Sequence, residues 1–432
     1  MPRLRRHLIR ASTHTTFNEP LLQKAAPLSR KLPVIFLLIT VAIDSMGIGL
    51  IMPVMPKLMI ELGATDLSQA ATWGGALAAI FAVMQFGFGP LVGALSDRFG
   101  RRPVLLVSLA ALTVDYLIMG FAHSLWVLVI GRIIGGMTSA THSTANAYMA
   151  DISAPEDKAA NFGLIGAAFG VGFVLGPMIG GLLGEFGPRM PFFAAAALAA
   201  ANTIFGFLVL SETVTDAIRR PFTWARANPF GAFRHIGKLP GVTRLLVVYF
   251  FYTVAFFVYP SVWAYFTQEK FGWDSGTVGI SLAVFGLSMA VMQGGVIRLI
   301  IPRIGEHYTV VFGFIVNILA FSIYALAFEG WHIFVLAPIT TLGVVAGPAL
   351  QGIMSRTASD DQQGELQGVL TSISAVAVII SPLMMTQTFS HFTRPETDFY
   401  FAGAPFLLAS ALVLVSLVIF SGRKRLHTYI RA

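Results

Sequence analysis

The chain contains no cysteine, which excludes disulfides, thiolate metal sites and cysteine redox chemistry. It is also short of charge: only 12% of its 432 residues are Asp, Glu, Lys or Arg, about half the ~25% of an ordinary soluble protein. No Gly-x4-Gly-Lys-Ser/Thr loop, zinc motif, nucleophile elbow or dinucleotide fingerprint occurs, and no polar segment is long enough for a nucleotide-binding domain. These absences argue against an ATP-driven pump and against an enzyme. Neither a cofactor nor a bound metal is expected.

What the chain has instead is apolar residues, 56% of the total, with a mean hydropathy of +0.75. Apolar stretches of about 20 residues recur from Pro33 to Ser421, each matching the ~30 Å hydrocarbon core that a helix crosses at 1.5 Å per residue. The expected fold is all-α and membrane-embedded, with twelve transmembrane helices. The spans are expected at 33–56, 71–95, 103–122, 126–149, 161–184 and 191–210, then at 244–266, 276–300, 308–328, 332–354, 365–388 and 402–421. The polar, basic stretch 211–243, with Arg219, Arg220, Arg226, Arg234 and Lys238, then links one six-helix bundle (33–210) to another (244–421), and short basic tails flank them at 1–32 and 422–432.

A net charge of +8 would suit a nucleic-acid partner only if the basic residues formed one patch. Here they are scattered over the polar connections. With both termini cytoplasmic, 24 of the 29 Lys and Arg fall on that side, four (Lys57, Arg189, Lys270, Arg394) outside and one, Arg132, within a span. The opposite orientation would invert the positive-inside rule, so an integral multi-pass protein of the cell membrane with cytoplasmic termini is expected. The first 32 residues are rich in Arg, Ser and Thr with a single acidic residue, Glu19. A transit peptide would look similar, but a basic tail ahead of an uncleaved first span accounts for the same residues.

The halves read as copies. At a constant offset of 205 residues Gly74 matches Gly279, Arg98 matches Arg303, Gly100 matches Gly305, Trp126 matches Trp331, Met149 matches Met354, Gly163 matches Gly368 and Pro177 matches Pro382. Two pseudo-symmetric six-helix bundles can hold a midplane site and rock about it, which is a transport architecture.

Between spans two and three lies Gly93-Ala-Leu-Ser-Asp97-Arg98-Phe-Gly100-Arg101-Arg102-Pro103. Gly93 is expected to let helices approach closely, Gly100 to make a sharp turn, and Asp97 to pair with the arginines at the membrane surface. This loop resembles the signature of the major facilitator superfamily. The resemblance implies that Asp97 and Arg101 stabilise the state closed to the cytoplasm, with Asp151 and Lys158 as partners. In the second half the loop reads Pro302-Arg303-Ile-Gly305-Glu306, without the Asp. Span five carries Gly163, Gly166, Gly170, Gly172, Gly176-Pro177 and Gly180-Gly181, a small-residue stripe suited to close helix packing with a kink at the proline. It also resembles the motif that facilitator antiporters carry there, which implies export.

Four ionisable groups fall inside spans: Asp44, Asp115, Arg132 and His142. Each costs roughly 2.5 to 3.5 kcal/mol at the bilayer centre and is by default a functional candidate. Asp44 or Asp115 suits proton exchange, Asp44 foremost because Gly47 and Gly49 adjoin it; the alternative is a bracing ion pair of either with Arg132. His142 suits proton work or, with Thr138, Ser139, Thr141 and Ser143 around it, a polar helix contact. Gln85, Asn146, Asn202, Gln293, Asn317 and Gln351 are candidates to line a cavity for an amphipathic solute, and a few of span seven's aromatics, Tyr249 to Tyr265, are candidates to reach it.

The stretches around Asp44, Asp97, Asp115-Tyr116, Gly131-Arg132, Tyr148 to Asp151, Phe162 to Gly181, Ser281 to Gly286 and Gly364 to Gly368 resemble proton-driven tetracycline exporters. That resemblance implies exchange of a metal–tetracycline complex for a proton by a monomeric carrier in the lipid bilayer, with Asp44, Asp115 and Arg132 important. Met289 and Asn317 stand where those exporters place a His and an Asp, so coupling is expected in the first half, and the substrate is expected to be an amphipathic drug, tetracycline or another. The rival expectation is a proton-symport importer of a small metabolite.

Overall fold

A computed structural model describes residues 27–422 apart from 217–218, 225–226, 232, 235–238, 240 and 360–361, with the backbone alone for 27–31 and 159. Most of the basic tail 1–32, the linker residues Arg226 and Lys238, and the tail from 423 onward lie outside the described residues.

The described chain is helical throughout its spans. The first half comprises α1 (Pro27–Ile51), α2 (Met55–Glu61), α3 (Leu67–Phe99), α4 (Arg101–Gly120), α5 (Leu125–Thr138), α6 (Thr141–Ile152), α7 (Lys158–Gly184) and α8 (Met190–Val209). The second comprises α9 (Thr243–Phe256), α10 (Val258–Phe271), α11 (Ser275–Val291), α12 (Ile297–Leu326), α13 (Trp331–Thr340), α14 (Ala346–Thr357), α15 (Gln363–Thr393) and α16 (Ala404–Ser421).

Among the described residues ten stretches are long and apolar enough to cross a membrane. Two local features account for the difference from twelve. Span four is broken at Ser139–Ala140 into α5 and α6, of 14 and 12 residues, neither long enough alone. Spans eight and nine form one 52-residue helical run, Ser275–Leu326, about 78 Å at 1.5 Å per residue and more than twice a bilayer. The expected loop at 301–307 shrinks to one reversal: Gly305, at φ 76° and ψ 161°, leaves helical geometry, in a region that only glycine enters freely. Counting the broken helix and dividing the long one gives twelve.

Polar caps start the long helices. Asp66 accepts a hydrogen bond from the Gln69 amide (2.8 Å) at the head of α3, and Asp274 accepts one from the Thr277 amide (2.7 Å) at the head of α11, each satisfying an amide that the helix leaves unpaired. Within the first half α1 lies along α7, α4 along α8 and α3 along α5; within the second, α12 and α9 both pack on α16. The halves meet through α3 against α15 and α7 against α11. By the 205-residue offset span two corresponds to span eight and span five to span eleven, so the two seams are equivalent under the pseudo-twofold.

Both seams are tight at the end marked by Glu61. A Cβ on Gly75 of α3 would lie 2.9 Å from the Pro382 carbonyl of α15, and one on Gly279 of α11 would lie 3.0 Å from Cα of Gly181 in α7. Hydrogen bonds cross there as well: Ser68 to Ser390 (Oγ to Oγ, 2.8 Å), Gln268 to the Pro53 carbonyl (3.1 Å) and the Gly276 amide to Glu185 (3.0 Å). At the end marked by Asp97 the same helices stand apart. Gly87, Gly89 and Gly93 of α3, Gly163, Gly166 and Gly170 of α7, Gly294 and Gly295 between α11 and α12, and Gly364 of α15 all have open space beside them. The bundle is therefore closed at the Glu61 end and parted at the Asp97 end. Gly93, expected to permit a close helix approach, makes none in this state.

The aromatics of span seven form the second half's core. Trp263 and Phe266 are fully buried with Tyr324 and Phe406, the Tyr259 and Phe285 rings meet at a tilt with centroids 4.5 Å apart, and the Trp263 indole donates to Ser281 (3.0 Å). Tyr252, Tyr259, Trp263 and Tyr265 are buried in this packing, whereas Tyr249, Phe250, Phe251, Phe256 and Phe257 remain half-buried.

Candidate functional site

Span one is held on two sides by contacts that need glycine. Gly47 lies against the ring of Tyr116 in α4, where a Cβ would approach Cζ to 2.9 Å, and Gly49 lies against the Pro177 nitrogen of α7 at the same distance. Gly172 faces Ala42 and Ser45, and Gly176 faces the Met46 carbonyl at 2.5 Å from where a Cβ would be. Asp44 is thereby fixed midway along α1 between α4 and α7. It is half-buried, and among the described residues no side chain makes a hydrogen bond or ion pair with its carboxylate.

One helix away, Asp115 of α4 is fully buried and pairs with Arg132 of α5. Span four makes room for it with two glycines: a Cβ on Gly131 would come within 3.1 Å of Asp115 Oδ1, and one on Gly135 within 2.6 Å of Oδ2. The guanidinium lies over the Phe81 ring of α3 at 5.1 Å, a favourable placement for a desolvated cation. The pair is joined through one contact, Arg132 Nη2 to Asp115 Oδ2, and Asp115 Oδ1 and Arg132 Nε have no partner among the described residues. Tyr116 lies within electrostatic reach of Asp44, Asp115 and Arg132, so the three charges share one neighbourhood. Of the two pairings open from sequence, the structure has Asp115 with Arg132 and leaves Asp44 alone.

The Asp97 turn is a charged clasp. Arg101 pairs with Asp97 (2.6 Å) and with Asp151 at the end of α6 (3.2 Å), and also donates to Ser96 (3.2 Å). Gly100 turns at φ 115° as expected. Arg98 is exposed over the Phe99 ring, Arg102 donates to the Phe207 carbonyl (2.9 Å), and Lys158 is exposed at the head of α7.

The remaining candidates divide. Gln85 is exposed and donates to Ser139 (2.9 Å) at the break in span four; His142 is exposed beside the Phe169 ring (5.6 Å); Asn146 is half-buried; Gln293 and Gln351 are exposed. Gln293 lies in a π-helical turn, Met292–Val296, a rare distortion that concentrates at functional sites. Asn317 and Asn202 do not line an opening. The buried Asn317 amide donates to the carbonyls of Gly313 and Gly343 (2.8 Å each), and Asn202 bonds Thr40 (3.0 Å). Both tie helices together.

Residues 37–382 match the Major Facilitator Superfamily. The chain is 39% identical over 383 residues to the tetracycline resistance protein, class C, of Escherichia coli, covering 89% of this chain and 95% of that protein, and 39% identical over 357 residues to the class B protein of the same organism, covering 82% and 88%. The chain belongs to the Major Facilitator Superfamily, in the family of the tetracycline resistance proteins. Its fold also superposes on the crystal structure of the nucleoside transporter NupG with a TM-score of 0.73 at 12% identity, covering 91% of this chain and 98% of that one.

Within this facilitator the span-five glycines do two jobs. Gly172, Gly176 and Gly180 seat span one, whereas Gly181 seats the opposite half, at 2.5 Å from a built Cβ to the Ser275 carbonyl. Gly163 seats nothing in this state. Sequence reasoning missed two acidic residues. Glu212, just past span six, accepts from the amides of Arg101 (2.8 Å) and Arg102 (3.2 Å) and so caps α4. Glu185 holds the head of α11 across the seam. The only sequence signal for either is a carboxylate just past the end of a span.

Proposed function

We propose that this facilitator exports an amphipathic drug of the tetracycline class in exchange for protons, by alternating access between its two halves. The observation that carries the reading is the 39% identity to the class C tetracycline resistance protein across 95% of its length. Resistance mediated by a secondary carrier requires the drug to move outward, which favours antiport over proton-symport import.

Asp44 is the proposed proton carrier, because a carboxyl inside a span with no partner among the described residues can take up and release a proton without breaking another contact. Asp115 and Arg132 form the companion pair, whose spare carboxylate oxygen can respond to the charge on Asp44. One proton moving down a 100 mV potential carries about 2.3 kcal/mol, enough to drive uphill export. The Asp97 end is assigned to the cytoplasm by the 24 of 29 cations that would otherwise face outward. The parted end then admits drug from inside. Gln85, His142, Asn146, Gln293 and Gln351 are its proposed polar contacts, and the drug enters free or as its metal complex. Met289 and Asn317 supply no charge, so proton coupling runs through the first half. The clasp of Asp97, Arg101 and Asp151 is proposed to shape the first half for closure at the cytoplasmic end. A single chain supplies both halves, which suits a monomeric carrier.

Everted vesicles test the reading. An imposed proton gradient should drive tetracycline into the lumen, with drug-dependent alkalinisation; absence of that alkalinisation overturns antiport.

A further inference from the structure

At the 205-residue offset, Arg101 corresponds to Glu306 and Asp151 to Arg356. Each residue is replaced by one of opposite charge. The structure nevertheless pairs them: the guanidinium of Arg356, at the end of α14, lies on the carboxylate of Glu306, as that of Arg101 lies on Asp151. The preceding glycines correspond as well, Gly100 at φ 115° and Gly305 at φ 76°. Had only one partner changed sign, two like charges would have met in the second half. What the halves share is the attraction, with its polarity reversed.

The contact continues in the same way in both halves. In the first, Asn161 near the start of α7 donates to Ser153 past the end of α6 (2.8 Å); in the second, Gln363 at the start of α15 donates to the carbonyls of Ser355 in the last turn of α14 (2.7 Å) and of Ala358 just past it (3.2 Å). A chain of polar contacts therefore runs from the turn after span two or eight, through the end of span four or ten, to the start of span five or eleven. Spans two, five, eight and eleven are the helices that form the seams between halves.

We propose that Glu306 and Arg356 are positioning residues, a charge-inverted counterpart of the Arg101–Asp151 clasp that keeps spans eight and eleven at a fixed spacing while the second half rocks. The loop that lost its Asp has kept a clasp by other means. Neither residue is among the proposed polar contacts of the solute, so their effect falls on turnover rather than on KM.

The test uses the full chain, which has no native cysteine, with spin labels on cysteines placed at Gly295 and Gly364, both beside open space. Glu306→Arg and Arg356→Glu should each broaden the label–label distance distribution and lower drug turnover about fivefold, the equivalent of ~1 kcal/mol, with KM unchanged. The double variant Glu306→Arg/Arg356→Glu should restore both. Unaltered distances in the single variants, or a folded double variant that fails to recover, overturn the proposal. Should the reversals fail to reach the membrane, Glu306→Gln and Arg356→Gln replace them, and a wild-type distance distribution in both is the refuting result. The proposal rests on the transport reading for its turnover arm only; the distances test the clasp whatever the substrate.

Discussion

Two glycines in one helix should respond to added bulk in opposite directions. A Cβ on Gly181 would lie 2.5 Å from the Ser275 carbonyl oxygen and 3.0 Å from the Gly279 Cα across the seam, whereas one on Gly166, four turns away on α7, meets no atom within 4 Å. A valine at Gly181 must push the seam apart by several tenths of an ångström, and overpacking of this kind costs about 1 to 3 kcal/mol. At ~2 kcal/mol the closed Glu61 end loses about thirtyfold in population, enough to reverse a balance between states only a few kcal/mol apart. Gly166→Val costs nothing in this state and obstructs closure at the other end, so it should hold the present state. The assay is disulfide formation between cysteines at Ser68 and Ser390, whose hydroxyl oxygens lie 2.8 Å apart. Gly181→Val should slow cross-linking and Gly166→Val should preserve or hasten it. Equal cross-linking in both variants, or loss in Gly166→Val alone, would refute the assignment of closed and parted ends.

Asp44→Asn should insert normally and abolish gradient-driven drug uptake in everted vesicles, because no partner is stranded by the change; retained driven uptake removes Asp44 from coupling. Asp115→Asn leaves the Arg132 cation buried without its counter-charge, at a cost of about 3 to 5 kcal/mol, and thermal unfolding in detergent should show this loss largely recovered by adding Arg132→Gln. Asn317→Asp, which installs the acid that the resembling exporters carry, should destabilise this chain by ~2 to 5 kcal/mol, since a carboxylate cannot donate to the Gly313 and Gly343 carbonyls; a fully stable variant would contradict the packing role. At the surface, the Thr277 amide holds the Asp274 carboxyl below its ordinary 3.8. A group with a lowered folded pKa stabilises above its unfolded value and loses that contribution as pH falls through the lowered one, so Asp274→Ala should cost ~1 kcal/mol at pH 7 and progressively less below about pH 4.

Most of the span count was legible because a bilayer demands about 20 apolar residues for each crossing. The errors fell where local geometry, not hydropathy, decides. Gly305 alone replaces an expected loop, since Pro302, Arg303 and Glu306 are all accepted at helix ends. The break at Ser139–Ala140 leaves no mark in an otherwise suitable sequence. Among the site residues, Asp115 and Arg132 were recognisable by their cost in lipid, but their pairing with each other depended on Gly131 and Gly135 clearing space on the facing helix. Asn317 was misjudged because an amide in a span serves a cavity and a buried helix contact equally well, and only the positions of Gly313 and Gly343 distinguish the two.

By itself the sequence determined the membrane class, the 205-residue repeat and the placing of the charges deepest within spans in the first half, because burial cost, span length and a constant offset are properties of the chain read in order. Tertiary structure decided which end is closed, that Asp44 stands without a partner, and that Glu306 and Arg356 repeat the first clasp with reversed charge. Those depend on distances between residues far apart in the chain, and the energies that set them, contacts falling off within an ångström and ion pairs of ~1 kcal/mol, leave little trace in residue order.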